Sequence, residues 1–89
     1  MKAVITVIGK DTVGIISKVS EKCAQNNVNI CDITQKVLGD IFVMIMIVDI
    51  SNIKEKFTDF VEQIDQLGQS MGLSMHTMHE DIFNAMHKI

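Results

Sequence analysis

The sequence has no arginine, tryptophan, tyrosine or proline, and it has four phenylalanines among 89 residues. Arginine supplies the planar fork that proteins use to hold phosphate and to read guanine, so its absence argues against a nucleic-acid-binding protein. The scarcity of aromatic side chains also removes the stacking platforms of an RNA-binding sheet. With eight lysines against eleven acidic residues and a net charge of -3, the chain lacks the basic stripe that such a surface requires.

Long apolar runs are missing as well. The longest run, residues 41–48, is too short to span a bilayer, so we expect no membrane segment. The N terminus passes directly from Met1 and Lys2 into a β-branched stretch without a small-residue cleavage site, which predicts no signal peptide and a cytoplasmic location. With 47% hydrophobic and 21% charged residues, the composition is typical of one globular domain.

Cysteine and histidine are few, and their spacing is not that of a metal or redox site. Cys23 and Cys31 form no C-x-x-C pair, and we expect two buried, reduced thiols. His76 and His79 lie on a predicted strand whose alternation sends them to opposite faces, and His87 follows in a predicted helix. We therefore expect no metal and no cofactor. No Ser, Thr or Cys has the surroundings of an activated nucleophile, so the sequence predicts no catalytic residue.

Four stretches have the pattern of β-strands, and they are residues 1–8, 28–38, 41–48 and 73–79. The first is apolar on both faces, which predicts a central position in the sheet. The second changes phase near Cys31 and Asp32, which predicts a β-bulge on an edge strand. Its polar residues Asn29, Asp32 and Gln35 either face a site or form the solvated side of that edge. A turn at Gly39-Asp40 joins it to the third strand, whose outer face must be covered by the C-terminal tail or by a partner.

Three stretches have helical periodicity: from Val13 or Gly14 to Gln25, from Ile53 to Gly72, and residues 80–89. The first is expected to end at Asn26-Asn27, where asparagine can adopt the left-handed conformation. The second begins after Asn52 with Glu55 three residues on, which is close to a capping box. Gly68 interrupts its apolar stripe and predicts the close approach of a neighbouring backbone. The third is amphipathic and too short to be stable alone, so it must dock on something.

This order of elements predicts an α+β fold, a ferredoxin-like βαββαβ sandwich with a four-stranded antiparallel sheet and a short C-terminal helix. We expect a domain over residues 1–79 and a C-terminal amphipathic helix over 80–89, packed on the domain or on its partner. Acyl-phosphate hydrolases and metal chaperones share the sandwich, but they require an arginine and a Met-x-Cys-x-x-Cys loop respectively, and this chain has neither. A chain this small buries a modest fraction of its surface, so association with a second copy is expected.

The loop over residues 9–16 joins the first strand to the first helix and is the strongest candidate for a site. A helix N terminus has unpaired amides and a partial positive charge, which suit a carboxylate or a phosphate. Gly14 lets a ligand or another backbone come close, while Asp11 and Thr12 offer side-chain oxygens. Two interpretations are open from these residues: either Asp11 or Thr12 caps the helix, or the loop binds a ligand.

Three segments together resemble the ACT domain family, namely Lys10 to Ile16, Asn26 to Gln35, and the Gly39-Asp40 hairpin with Phe42 to Met44. The resemblance covers about residues 2–79. It extends to stand-alone ACT proteins and to the ACT modules of the glycine-cleavage repressor and of formyltetrahydrofolate deformylase. It implies a non-enzymatic regulatory module that forms a homodimer side by side and binds an amino acid or a similar small metabolite at the interface.

By position, the resemblance also implies the ligand-binding residues, which are Asp11, Thr12, Val13, Gly14, Ile15, Asn29 and Ile30. Asp11 would meet the ligand's amine, the amides around Gly14 its carboxylate, and Asn29, often supplied by the other subunit, would orient it. The proline that commonly precedes the loop glycine is Val13 here, so the loop is less constrained. The alternative is a protein–protein interaction module without a ligand, in which the third-strand face and the methionine-bearing tail bind a regulated enzyme.

Overall fold

The computed structural model describes residues 1–10 and 12–86. Its elements are β1 (Lys2–Lys10), α1 (Ile15–Gln25), β2 (Asn29–Leu38), β3 (Ile41–Asp49), α2 (Phe57–Met71), β4 (Leu73–His79) and α3 (Glu80–Met86). This order confirms the predicted α+β, ferredoxin-like sandwich with a short C-terminal helix. Within the described residues, no helix has the length and apolar character needed to cross a bilayer. The division into a domain over 1–79 and a separate segment over 80–89 stays a prediction.

The sheet has the strand order β2-β3-β1-β4 with antiparallel neighbours, which confirms that the first and third strands are central. Both faces of β1 and β3 carry apolar side chains, and strands of that kind require neighbours and cover on every side. The pairing of β2 with β3 shifts between Ile30 and Asp32, so Cys31 is the extra residue of the predicted bulge. Gly39 turns the β2-β3 hairpin with a φ of 65°.

The core lies on the side of the sheet that α1 and α2 cover, here called the helix face. Its strand side chains alternate with a period of two, and they include Ala3, Ile5, Val7, Phe42, Met44, Met46 and Val48. From the helices, Val19 and Phe60 are fully buried against them. The opposite side, here called the open face, carries α3 across β1 and β4. The result is a slab with dimensions of 36 × 34 × 19 Å, one sheet and one main helix layer thick.

Both long helices end where the sequence predicts, but α1 begins one or two residues late. Asn27 has a φ of 58° after α1, and Gly72 has a φ of 70° after α2, which confirms the left-handed residues expected at these ends. At the other end of α1, Gly14 has a φ of 90° and is the residue before the helix, so α1 begins at Ile15.

The predicted start of the second helix at Ile53 is wrong, because α2 begins at Phe57. The backbone of the segment before it is held by hydrogen bonds to other parts of the chain. The amide of Ser51 donates to the Asp49 carboxylate at 2.8 Å, and the amide of Lys54 donates to the Asn26 carbonyl at 3.0 Å. Tertiary contacts therefore hold this segment as a turn despite its resemblance to a capping box.

The two cysteines differ in environment, so the prediction that both are buried is wrong for one of them. Cys23 is 1% exposed in the core, and burial raises the pKa of its thiol to about 11. Cys31 is an exposed free thiol. The physical reason is the bulge, which takes Cys31 out of the cross-strand alternation that would otherwise decide its face.

Candidate functional site

The turn from β1 into α1 leaves the start of the helix open. Gly14 has left-handed backbone angles, φ 90° and ψ 9°, and a Cβ atom built there would meet nothing within 4 Å. Glycine is therefore required by the backbone conformation at this position and not by packing. The amide of Lys18 donates to the Gly14 carbonyl at 3.0 Å, which is the first turn of the helix. The amides of the residues before Lys18 have no acceptor within α1.

The side chain of Thr12 does not cap this helix. Its hydroxyl instead donates to the Lys10 carbonyl at 3.0 Å, which closes the turn that follows β1. No side chain of the described residues caps α1. The capping interpretation is thus wrong for Thr12, while Asp11, the other candidate, lies outside the described residues. The partial positive charge at the start of α1 is therefore not offset by a hydrogen bond from the Thr12 side chain.

A cleft of about 520 Å³ lies between this helix start and the end of β2. Its lining residues are Thr12, Gly14, Ile15, Ile16, Ser17, Gln35, Lys36, Val37 and Phe42. Cross-strand pairs place Gln35 with Met44 and Val37 with Phe42, so these side chains lie on the helix face. Lys36 pairs with the open-face residue Val43 and directs its side chain away from the cleft.

The cleft combines polar groups on one wall with apolar groups on the other. The helix amides that have no acceptor within α1 and the Ser17 hydroxyl are hydrogen-bond donors, and the Gln35 amide can donate or accept. Val37, which is 51% exposed, and Phe42, which is 5% exposed, supply an apolar surface. This arrangement suits a small molecule with a carboxylate at one end and an apolar part beside it.

The structure brings three of the predicted site residues together at this cleft, namely Thr12, Gly14 and Ile15. The Ile15 side chain is 3% exposed and packs in the core, so Ile15 faces the cleft through its backbone. Val13, in the same loop, is 97% exposed. The predicted contact of Asp11 with an amine lies outside the described residues.

Asn29 and Ile30, the other predicted residues, lie at the opposite end of the same molecule. Asn29 pairs with Asp49 at the end of the sheet where β1 begins, whereas Val37 lies at the end where β1 finishes. At ~3.3 Å per residue, Asn29 and Val37 are roughly 25 Å apart along β2. Ile30 packs against the edge of the core. One protomer therefore does not bring these residues to the cleft.

Sequence reasoning missed Ser17, Val37 and Phe42 as cleft residues. The signal that finds them is the antiparallel order of the sheet, which brings the end of β2 to the same end of the sheet as the end of β1, with β3 between them. Gln35 was among the residues expected to face either a site or solvent, and the cleft is where it lies. Without the strand order, residues that are about twenty apart in sequence give no sign of sharing a cleft.

The two histidines of β4, His76 and His79, do not contribute to this site. His76 pairs with Thr6 and His79 with Ala3, which confirms that the two rings belong to opposite faces of β4. The His79 ring nitrogen accepts a hydrogen bond from the Asp81 amide at 3.2 Å. Among residues 1–10 and 12–86, no group of three or more potential ligands could hold a metal ion.

Comparison with known proteins identifies the family. A model of the ACT domain family matches residues 2–78. The chain is 44% identical over 89 residues to a UPF0237 protein of Listeria innocua, with the whole of both chains covered. An ACT domain protein of Streptococcus pneumoniae has a similar structure, with a TM-score of 0.80, 40% identity and 93% of each chain covered.

Two larger proteins contain a similar unit. A glycine cleavage system transcriptional repressor matches 85% of this chain and 43% of its own length, with a TM-score of 0.69 and 29% identity. A formyltetrahydrofolate deformylase of Burkholderia mallei matches 88% of this chain and 28% of its own, with a TM-score of 0.78; at 8% identity it shows the fold alone. From the family match, the close relatives and the shared architecture, the chain belongs to the ACT domain family.

Proposed function

We propose that this chain is a cytoplasmic regulatory module that dimerises through the β2 edge and binds an amino acid or a related small metabolite beside Gly14. ACT domains are a family of regulatory modules that bind small molecules. The observation that carries the proposal is the position of Asn29, which lies at the far end of the strand that borders the cleft. The proposal gives the chain no catalytic role.

The edge strand explains how a second copy completes the site. An edge strand has a row of backbone groups that can pair with another strand, and β2 is such a strand. When two β2 strands pair antiparallel about a two-fold axis, the start of each strand lies beside the end of the other. Asn29 of one copy then approaches the cleft of its partner. The same pairing covers Ile33 and Val37, which are 36% and 51% exposed.

The cleft sets the chemistry of the proposed ligand. A carboxylate accepts hydrogen bonds from the amides at the start of α1, where the helix dipole favours an anion. The apolar part of the ligand lies on Val37 and Phe42, and the partner's Asn29 orients its remaining polar groups. Affinities of regulatory metabolites, about micromolar to millimolar, correspond to roughly -8 to -4 kcal/mol. A ligand held between two copies stabilises the dimer by mass action.

Thermal unfolding of the full chain tests the proposal. The compounds are the amino acids and, separately, metabolites of purine and folate metabolism, each at millimolar concentration. We expect at least one amino-acid-like compound to raise the unfolding temperature and the dimer fraction together. Asn29→Ala should abolish that rise. Asn84→Ala removes an exposed asparagine of α3 that lies away from the cleft and should retain it.

Two results would contradict the proposal in different ways. If no compound raises the unfolding temperature at saturating concentration, the sensing role is wrong. If a compound acts equally on the wild type and on Asn29→Ala while the chain stays monomeric, the ligand binds within one copy and the shared site is wrong. The alternative without a ligand, a protein–protein interaction module, is the remaining hypothesis only after the first of these results.

A further inference from the structure

The open face of the sheet is covered unevenly. Under α3, at the β1-β4 side, Val4 is 1% exposed. Towards the β2-β3 hairpin, Ile8, Leu38 and Ile41 are 51%, 54% and 47% exposed. Cross-strand pairing joins Ile8 to Val43 and Leu38 to Ile41, so these four side chains form one apolar surface. We call this surface the bare patch.

The helix α3 has apolar side chains on two sides. Phe83 lies towards the sheet in a groove of about 530 Å³ whose lining also includes the patch residues Ile8 and Val43, together with Thr6, Ile45 and Met78. Ile82 and Met86 are four residues apart, so they lie on one side of the helix, and they are 55% and 65% exposed. Because an α-helix with its side chains is ~10–12 Å wide, α3 forms a ridge of about that height on the open face.

We infer that two copies of this chain stack through their open faces, with α3 of each copy docked on the bare patch of the other. The start of α3 and the outer part of the patch lie at diagonally opposite corners of the sheet, because α3 follows His79 beside Ala3 while Leu38 and Ile41 lie beside Lys10. Ile8 and Val43 form the inner part of the patch, which borders the Phe83 groove. A single two-fold axis that lies in the plane of contact therefore places the ridge of each copy on the patch of the other. The exposed Ile82 and Met86 then meet Ile8, Leu38 and Ile41 of the partner.

Charge complementarity favours a second copy as the occupant. The start of α3 carries Glu80 and Asp81. The bare patch is bordered on the same face by Lys10, which pairs with Ile41, and by Lys36, which pairs with Val43. Docking brings the acids of one α3 towards the lysines of the other copy. Both the ridge and the patch that complements it in shape and charge thus belong to this chain.

The size of the open face agrees with a stable contact. A slab face of 36 × 34 Å offers roughly 1,200 Å², and a standard interface buries about 800 Å² on each partner. Exposed apolar surface that is contiguous and rimmed by charged residues is typical of an interaction site. The stacked contact uses the open face, whereas the proposed ligand-binding pair uses the β2 edge. A chain that uses both contacts forms an assembly of more than two copies.

The mass of the full chain in solution, measured by light scattering and sedimentation, tests the stacking. Ile41→Lys places a charge in the patch and Ile82→Glu places one on the ridge; each should halve the mass of the assembly. Ala24→Lys introduces the same charge at an exposed position of α1 on the other side of the slab and should leave the mass unchanged. Circular dichroism and thermal unfolding confirm that each variant is folded.

Mixing Ile41→Lys with Ile82→Glu makes the test decisive. A mixed pair retains one intact contact between α3 and the patch, and its other contact brings the new lysine towards the new glutamate. The mixture should therefore recover the mass that each variant alone has lost. If both single variants have the same mass as the wild type, the stacking is wrong. Both substitutions lie outside the Gly14 cleft, so a failure of ligand sensing is measured separately.

Discussion

Gly68 of α2 lies so close to Met75 of β4 that a Cβ atom on Gly68 would stand 2.8 Å from the Met75 Cγ atom. The same Cβ atom would be 2.9 Å from the carbonyl oxygen of Leu73, a backbone atom that cannot rotate away. This confirms the sequence-based expectation that Gly68 admits a neighbouring backbone. The glycine therefore sets the distance between α2 and the edge of the sheet.

We expect Gly68→Ala to destabilise the protein although alanine is the better helix former. The gain in helix propensity is ~1 kcal/mol, and overpacking a dense core costs ~1–3 kcal/mol. The free energy of unfolding, measured in urea, should fall by up to about 2 kcal/mol. Gln66→Ala is the control on the exposed side of the same helix and should change it by less than ~0.5 kcal/mol. A stabilised Gly68→Ala variant would show that α2 and β4 separate readily.

A buried amide joins the two long helices. Asn26 is 3% exposed, and its side-chain nitrogen donates to the Lys22 carbonyl and to the Gln63 side-chain oxygen, each at 2.9 Å. Asn26→Ala leaves both acceptors without this donor, and we expect a loss of about 1–3 kcal/mol in the free energy of unfolding. Gln25→Ala, at the exposed neighbouring position, should have little effect. Equal effects of the two substitutions in urea unfolding would contradict the assigned role of Asn26.

The carboxylate of Asp49 makes the stability of the protein depend on pH in the acid range. Hydrogen bonds from Ser51, with a smaller contribution from the N-terminal amine, lower the pKa of Asp49. The pKa of Asp49 in the folded state lies below the unfolded-state value of ~3.9. The carboxylate therefore contributes fully to the free energy of unfolding above pH ~3.9, and this contribution is lost as the pH falls through the folded-state pKa. We expect Asp49→Asn to unfold with a weaker pH dependence below about pH 4.

The measurement is the free energy of unfolding between neutral and acid pH for wild type and Asp49→Asn. The chain used must begin at Met1 with a free amine, because the Met1 amine donates to the Ser51 hydroxyl at 2.9 Å and lies 3.8 Å from the Asp49 carboxylate. The two stability curves should converge as the pH falls. Parallel curves across the whole range would show that Asp49 does not carry this dependence.

The two thiols should react at different rates. Iodoacetamide at neutral pH should modify Cys31, which is exposed, and leave Cys23 unmodified in the folded chain. Burial raises the pKa of Cys23 from 9.0 to about 11, so the unfolded state loses its proton first as the pH rises. Stability should therefore decline between these two values. Cys31→Ser should retain the decline, and Cys23→Ala should lessen it; mass spectrometry and alkaline unfolding measure the two effects.

Periodicity predicts most of the fold because this chain keeps its apolar residues in register with its elements. The doubly apolar β1, the bulge near Cys31 and the left-handed Gly72 each follow from a local physical requirement. The start of α2 does not, because the amides near Ser51 and Lys54 are held by Asp49 and Asn26. Contacts between residues distant in sequence decide that boundary, and no local pattern contains them.

The candidate site follows the same division between local and distant information. The loop at Gly14 is visible in the sequence because a glycine between a strand pattern and a helix pattern indicates a backbone conformation that other residues rarely adopt. Val37 and Phe42 enter the cleft through the pairing of β2 with β3, which depends on the strand order of the whole sheet. The separation of Asn29 from Gly14 is likewise a property of the sheet and not of either segment.

The bulge in β2 has a consequence for how the length of this chain can vary. Ile30 pairs with Val48 and Asp32 with Ile47, so Cys31 is a supernumerary residue without a counterpart on β3. A chain lacking Cys31 would restore simple alternation and retain each of those pairs. This point in the strand is therefore where a one-residue deletion should be accommodated without turning the side chains of β2 over.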